Sequence, residues 1–170
     1  MIDTSKKFLV AGAGKSGIGS VNLLLKTGAD VSLYDGNEEL DKEALFEKLY
    51  EKKEISLVLG NITKEDIEKY DLLVLSPGIS VNAPIAQMFY DQEKPVWSEI
   101  ELAYQASKGK IAAITGTNGK TTTTALTGEI MKGYYESSFV VGNIGIPYTS
   151  VALDTQENSV ITAEISSFQL

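Results

Sequence analysis

The 170-residue sequence predicts an α/β protein: a parallel sheet covered by helices on both faces, followed by the start of a second α/β unit. Three observations carry this. Short β-rich runs alternate with longer amphipathic runs from Phe8 onward. Helices of that length between strands imply parallel pairing with right-handed crossovers. The alternation restarts after the polar tripeptide Lys108-Gly109-Lys110, which reads as a hinge between a first domain at 1–108 and a second at 109–170.

In chain order, FLVAG (8–12) is the first strand, 16–27 a helix and VSLYD (31–35) the second strand, which completes a βαβ unit. Leu40, Ala44, Leu45 and Leu49 stand at helical spacing among charges, so 40–53 reads as a helix leading to ISLVL (55–59). A short charged helix at 64–69 precedes the buried strand and turn DLLVLSPG (71–78). Pro84 suits the first turn of a helix over 82–90, PVWSE (95–99) is the last short strand, and 99–107 the closing helix. In the second domain KIAAIT (110–115), a helix over 120–132, SFVVGN (138–143) and NSVITAEIS (158–166) follow. Those elements are too few for an independent core, so the expectation is a fragment.

Composition narrows the chemistry. Hydrophobic residues at 43% and charged ones at 22% are ordinary for a soluble domain. No apolar run approaches the roughly 18–20 residues that cross a bilayer. MIDTSKK lacks a signal-peptide core and there is no cysteine, so the expected location is cytoplasmic, without membrane contact. There is no histidine, which removes Ser-His triads, His-Cys dyads and His-based zinc sites. A net charge of -8 argues against a nucleic-acid partner but not against small anions held by helix N-termini.

Two glycine-rich loops carry the functional signal. Gly12-Ala13-Gly14-Lys15-Ser16-Gly17 is a G-x-G-x-x-G between a strand and a helix, with Asp35 at the end of the next strand. That is the Rossmann-like nucleotide fingerprint: Gly12 for the tight turn, Gly14 for close approach of a diphosphate, Gly17 for helix-to-strand packing. Alone it fits NAD as well as any other nucleotide. Thr115-Gly116-Thr117-Asn118-Gly119-Lys120-Thr121-Thr122 likewise joins a strand to a helix and reads as a P-loop opening an α/β ATP-binding domain. Gly116, Thr117, Asn118 and Gly119 would present backbone amides to phosphates. Lys120 would reach the β and γ groups, the Thr121 hydroxyl would meet Mg²⁺, and Thr122 continues the first turn. Ile114 stands where a standard P-loop has its first glycine, which disfavours a generic ATPase.

TGTNGKTTT resembles the ATP-binding loop of the Mur ligase family. Gly142-Asn143-Ile144-Gly145-Ile146-Pro147, Glu164 to Leu170 (EISSFQL) and Ser76-Pro77-Gly78-Ile79 resemble motifs of its D-glutamate-adding branch, in the family's order over essentially the whole chain. The resemblance implies ATP and Mg²⁺ as cofactors, UDP-N-acetylmuramoyl-L-alanine as substrate, and an acyl-phosphate intermediate attacked by D-glutamate. It implies catalytic roles for Lys120, Glu164, Asn143 and Ser166, with Thr121 and Glu164 on the metal. Gly14, Lys15 and Ser16 would hold the uridine diphosphate, Asp35 and Gly36 would face the uridine, and Ser76, Gly78, Asn143, Ser166 and Gln169 would complete the substrate site. Threonine is frequent in the family at the position of Gly36. Asn143 and Ser76 also stand where turn geometry alone selects such residues, so the residues leave both readings open. The family further uses a downstream carbamylated lysine, a histidine and a third domain, none of which occurs by Leu170. The 170 residues alone are therefore expected to bind the nucleotide sugar without completing ligation, D-glutamate needing the missing part. The alternatives are a non-catalytic nucleotide-sugar module and an NAD-dependent oxidoreductase domain.

Overall fold

The computed structural model describes residues 2–166, which fall into two compact units, Ile2–Glu99 and Ile100 onward. The first contains β1 (Lys7–Ala11), α1 (Lys15–Thr27), β2 (Asp30–Asp35), α2 (Lys42–Phe46), β3 (Ser56–Leu59), α3 (Lys64–Ile67), β4 (Leu72–Leu75), α4 (Pro84–Asp91) and β5 (Val96–Ser98). All five strands are parallel, in the order β3-β2-β1-β4-β5. The chain works outward from β1 to β3, then crosses back to β4, so the strand order reverses beside β1. In sheets of this kind ligands bind at that reversal, outside the carboxyl ends of the strands.

Burial explains why the central strands read as unbroken apolar runs. Leu9, Val10, Leu72, Leu73 and Val74 are wholly enclosed, because helices cover both faces. On one face Leu9, Ala11, Leu73 and Leu75 pack with Ile67, Tyr70, Ile85, Ala86 and Phe89. α1 packs on β1 and β2 and stops at Gly28, whose φ of 82° lets its N–H reach Leu25 O at 3.0 Å while Ala29 N–H reaches Leu24 O at 3.1 Å. The four-residue α3 is held by a capping box, in which Thr63 and Asp66 bond each other's backbone. The Thr63 backbone N–H, and after it the Thr63 hydroxyl, hold the Asp66 carboxyl below its ordinary range.

α4 closes as α1 does, Glu93 N–H donating to Tyr90 O and Lys94 N–H to Phe89 O, both at 2.9 Å. Here a glutamate occupies the left-handed position, at φ 55°. Glu93→Gly is expected to raise stability by about 1 kcal/mol. A urea unfolding midpoint at or below that of the wild type would refute this.

The segment 40–53, expected as one helix, is a five-residue α2 followed by a 3-10 turn at Tyr50–Lys52, with Glu51 and Lys52 at φ 55° and 51°. Asn22 of α1 is the cause. Its Nδ2 donates to Lys48 O at 3.1 Å and its Oδ1 accepts from Tyr50 N–H at 2.6 Å, replacing the bonds a continued helix would make.

The second unit has α5 (Glu99–Ala106), β6 (Lys110–Ile114), α6 (Lys120–Tyr134), β7 (Ser138–Gly142) and β8 (Val160–Glu164), its strands parallel in the order β6-β8-β7. Short 3-10 turns at Tyr148–Ser150 and Ala152–Asp154, which the sequence reading left unassigned, lie between β7 and β8. They tie down the end of α5: Ser107 Oγ lies 2.6 Å from Tyr148 OH, and Lys108 N–H donates to Thr155 Oγ1 at 2.8 Å. These bonds group α5 with the second unit; the sequence-based boundary at 108 lies at the far end of that helix. α6 buries Thr124 and Gly128 against the sheet and exposes Leu126, Ile130 and Tyr134. No helix among the described residues is long and apolar enough to cross a membrane.

Candidate functional site

At the carboxyl ends of β1, β2 and β4 lies an open pocket of about 480 Å³, within the range that holds small organic ligands. Its walls are Gly12, Gly14 to Ser16, Asp35 with Gly36, and Ser76 to Ile79. Gly14, Lys15, Ser16, Asp35, Gly36, Ser76 and Gly78, all singled out from sequence, are gathered here; Pro77 and Ile79 were overlooked as lining residues. The signal for those two was present, since Ser-Pro-Gly-Ile ends a strand adjacent to the glycine loop.

The loop geometry explains its glycines. Gly12 sits at φ 96°, a region costly for other residues. Gly14 is the N-cap of α1, with open space where a side chain would start, so a ligand can reach the backbone. A Cβ on Gly17 would fall 1.7 Å from the Gly12 carbonyl oxygen and 2.8 Å from Ser76 Oγ. The close approach Gly17 permits is therefore to the loop itself rather than to the strand. α1 has neither a side-chain cap nor an acidic residue in its first turn, which leaves its N-terminal amides and dipole for an anion. Asp35 accepts the Ala13 N–H at 2.7 Å on Oδ2 and the Asn37 N–H at 2.9 Å on Oδ1.

The second unit repeats the strand-to-helix turn. Gly116 and Gly119 lie at φ 145° and 75°, and α6 begins at Lys120 with Gly119 as N-cap, again without a side-chain cap or first-turn acid. Lys120 Nζ folds back across the loop and donates to Gly116 O at 2.6 Å. Thr117, Asn118, Thr121 and Thr122 are exposed around it. Strand register then brings distant residues to this edge, because Glu164 pairs with Ile114 on one side and with Gly142 on the other. Asn143 N–H donates to Glu164 O at 3.1 Å, and Ile165 N–H to Ile114 O at 2.9 Å. Ser166 follows two residues on, half-buried, and Gln169 lies outside the described residues.

Glu164 is 4% exposed, and its Oε2 has no hydrogen-bond partner among the described residues. A buried carboxylate oxygen left in that state is costly unless a cation or donor meets it. Among the described residues no cluster of three or more His, Cys, Asp or Glu forms a metal cage. A lone buried carboxylate of this kind suits Mg²⁺, which takes one or two protein carboxylates and completes its shell with phosphates and water. Glu164 supplies the buried oxygen at this edge, and Thr121 is an exposed hydroxyl in the first turn of α6.

Comparison with known proteins agrees along the chain. The profile of the Mur ligase MurD-like N-terminal domain matches residues 6–98, and that of the Mur ligase middle domain matches residues 114–170. The UDP-N-acetylmuramoylalanine--D-glutamate ligase of Lachnospira eligens is 55% identical over 166 residues, 98% of this chain and 37% of that protein. The enzyme of the same name from Lachnoclostridium phytofermentans is 53% identical over 165 residues, 97% of this chain and 36% of that protein. The chain thus spans little more than a third of the length of these relatives. Among solved structures, a pseudomurein peptide ligase type C from Methanothermus fervidus aligns with a TM-score of 0.51 at 24% identity, over 97% of this chain and 34% of that one. At that identity the likeness shows the fold.

Proposed function

The chain belongs to the Mur ligase family, and on that premise we propose that it is the front part of an ATP-dependent ligase that joins D-glutamate to UDP-N-acetylmuramoyl-L-alanine in peptidoglycan precursor synthesis. The observation that carries this reading is the pairing of two glycine-rich turns with uncapped helix N-termini, one opening on a pocket and the other beside an unsatisfied carboxylate.

In this reading the first pocket takes the uridine diphosphate. The amides around Gly14, Lys15 and Ser16 meet the phosphates, and the walls at Asp35–Gly36 and Ser76–Gly78 hold the nucleoside and sugar. In the second unit Gly116 to Thr122 cradle ATP. Lys120 leaves the Gly116 carbonyl for the γ-phosphoryl group, neutralising charge as it transfers to the substrate carboxylate. Thr121 and Glu164 would hold Mg²⁺, which supplies charge neutralisation between the phosphates. Asn143 and Ser166, at the same sheet edge, orient the substrate. The acyl phosphate is then attacked by the D-glutamate amine, forming the amide bond and releasing phosphate. Positioning and electrostatics suffice for such a transfer, so a chain without cysteine or histidine is chemically adequate for its share. The activity belongs to the whole ligase, acting in the cytoplasm, while this chain alone binds the nucleotide sugar without turning it over.

Thermal unfolding with UDP-N-acetylmuramoyl-L-alanine, and with NAD in parallel, tests the reading. At a hundredfold excess over Kd a ligand of the folded state contributes about 2.7 kcal/mol, enough to raise the melting temperature by several degrees. The nucleotide sugar is expected to produce that rise and NAD none. Stabilisation by NAD alone would overturn the assignment of the first unit.

A further inference from the structure

The loop that opens the first pocket contains one peptide plane held at both ends. The carbonyl of Gly12 and the N–H of Ala13 belong to the same peptide unit. Ser76 Oγ donates to Gly12 O at 3.3 Å, and Asp35 Oδ2 accepts from Ala13 N–H at 2.7 Å, the length of a charge-assisted bond. The two partners come from opposite sides, Ser76 just after β4 and Asp35 at the end of β2, so the plane is gripped from the two strands that flank β1. Both are themselves anchored. Gly60 N–H donates to Asp35 O at 2.9 Å, Asn37 N–H takes the other carboxylate oxygen, and Ser76 N–H donates to Ala11 O at 3.0 Å.

We propose that Asp35 and Ser76 are positioning residues that clamp the Gly12–Ala13 peptide and so preset the loop for a nucleoside diphosphate. This rests on the nucleotide reading of the pocket and adds how the pocket is kept ready. Gly12 at φ 96° has the backbone freedom to let this peptide rotate. A rotated plane would turn the carbonyl oxygen toward the incoming phosphates, where it repels them. With the clamp closed, that oxygen is occupied by Ser76 and the Ala13 N–H by Asp35. The diphosphate is left to the amides that follow at the start of α1. Asp35 thus shapes the pocket by what it does to the backbone, a role that a ribose-reading acid in a dinucleotide fold does not require.

The test uses the 170-residue chain, with UDP as probe. The Ala13 amide resonance in the ligand-free protein reports the clamp directly. It is expected to shift on Asp35→Asn, and to a smaller extent on Ser76→Ala, while the Leu24 amide in the last turn of α1 stays in place. Calorimetric titration with UDP is expected to show about tenfold weaker binding for each variant. The double variant should lose well under about a hundredfold, since both side chains act on one peptide. Should Asp35→Asn prove unstable, Ser76→Ala gives the same two readouts. An unmoved Ala13 resonance with normal UDP affinity, or losses that multiply in full, would sink the clamp and leave the nucleotide reading standing. A wild-type chain that fails to bind UDP would sink the nucleotide reading, and the clamp's purpose with it.

Discussion

Gly17→Ala is expected to destabilise the first unit by about 3 kcal/mol and to abolish UDP binding, although it adds a single methyl group. Gly17 has no positive φ, so an alanine there meets no conformational penalty. Inside a helix that exchange ordinarily stabilises by up to about 1 kcal/mol. The expected loss is entirely steric. The added Cβ would stand 1.7 Å from the Gly12 carbonyl oxygen and 2.9 Å from its carbon, which are backbone atoms of the loop and not the end of a flexible side chain. Either α1 lifts away, uncovering Val21 and Leu24, or the loop opens and the pocket loses its wall. Gly133→Ala in α6 is the control, because nothing stands within 4 Å of the Cβ it would gain, and it should be neutral or stabilising. Urea unfolding and UDP titration of both variants decide the matter. A Gly17→Ala chain as stable as the wild type would mean that the close approach is not maintained in solution.

How far the sequence reaches is best seen residue by residue. The βα alternation was legible because strands buried on both faces must be apolar throughout, as 8–11 and 72–75 are. Both glycine-rich turns were legible as strand-to-helix connections because glycine at fixed offsets between a strand and a helix has few other uses. What escaped depends on partners far away in the chain. Asn22 interrupts the helix expected over 40–53 from a position 28 residues before Tyr50. The turns after β7 exist because Tyr148 and Thr155 find Ser107 and Lys108, and no local pattern announces those bonds. Asp35 was legible as an acid at the end of the second strand, but its bond to the Ala13 amide, 22 residues away, exists only once β1 and β2 are paired. Likewise, Glu164 could be placed at the end of a strand from sequence, while its seat between Ile114 and Gly142 follows from a sheet order that puts the last strand in the middle.

That central seat gives Glu164 the property on which the last expectation rests. Glu164→Gln is expected to move stability and ligand binding in opposite directions. With 4% of its surface exposed and Oε2 lacking a partner among the described residues, the carboxylate carries a desolvation cost that no described hydrogen bond offsets at that oxygen. An amide of the same size removes the charge and should raise the stability of the second unit by about 1 kcal/mol, less than full relief because an amide also wants partners. On the proposed role of Glu164 as a Mg²⁺ ligand, the same change removes that anionic ligand, so ATP binding in the presence of Mg²⁺ should weaken by at least about tenfold, and its dependence on the ion should fade. Lys120→Ala separates the two effects. Its ammonium bonds the Gly116 carbonyl at an exposed loop, so losing it should weaken ATP binding with no gain in stability. A Glu164→Gln variant that is less stable than the wild type and binds Mg²⁺ and ATP normally would make Glu164 a structural acid. The opposite pattern, a firmer unit that has lost its grip on the ion, is what a site built at the expense of stability produces.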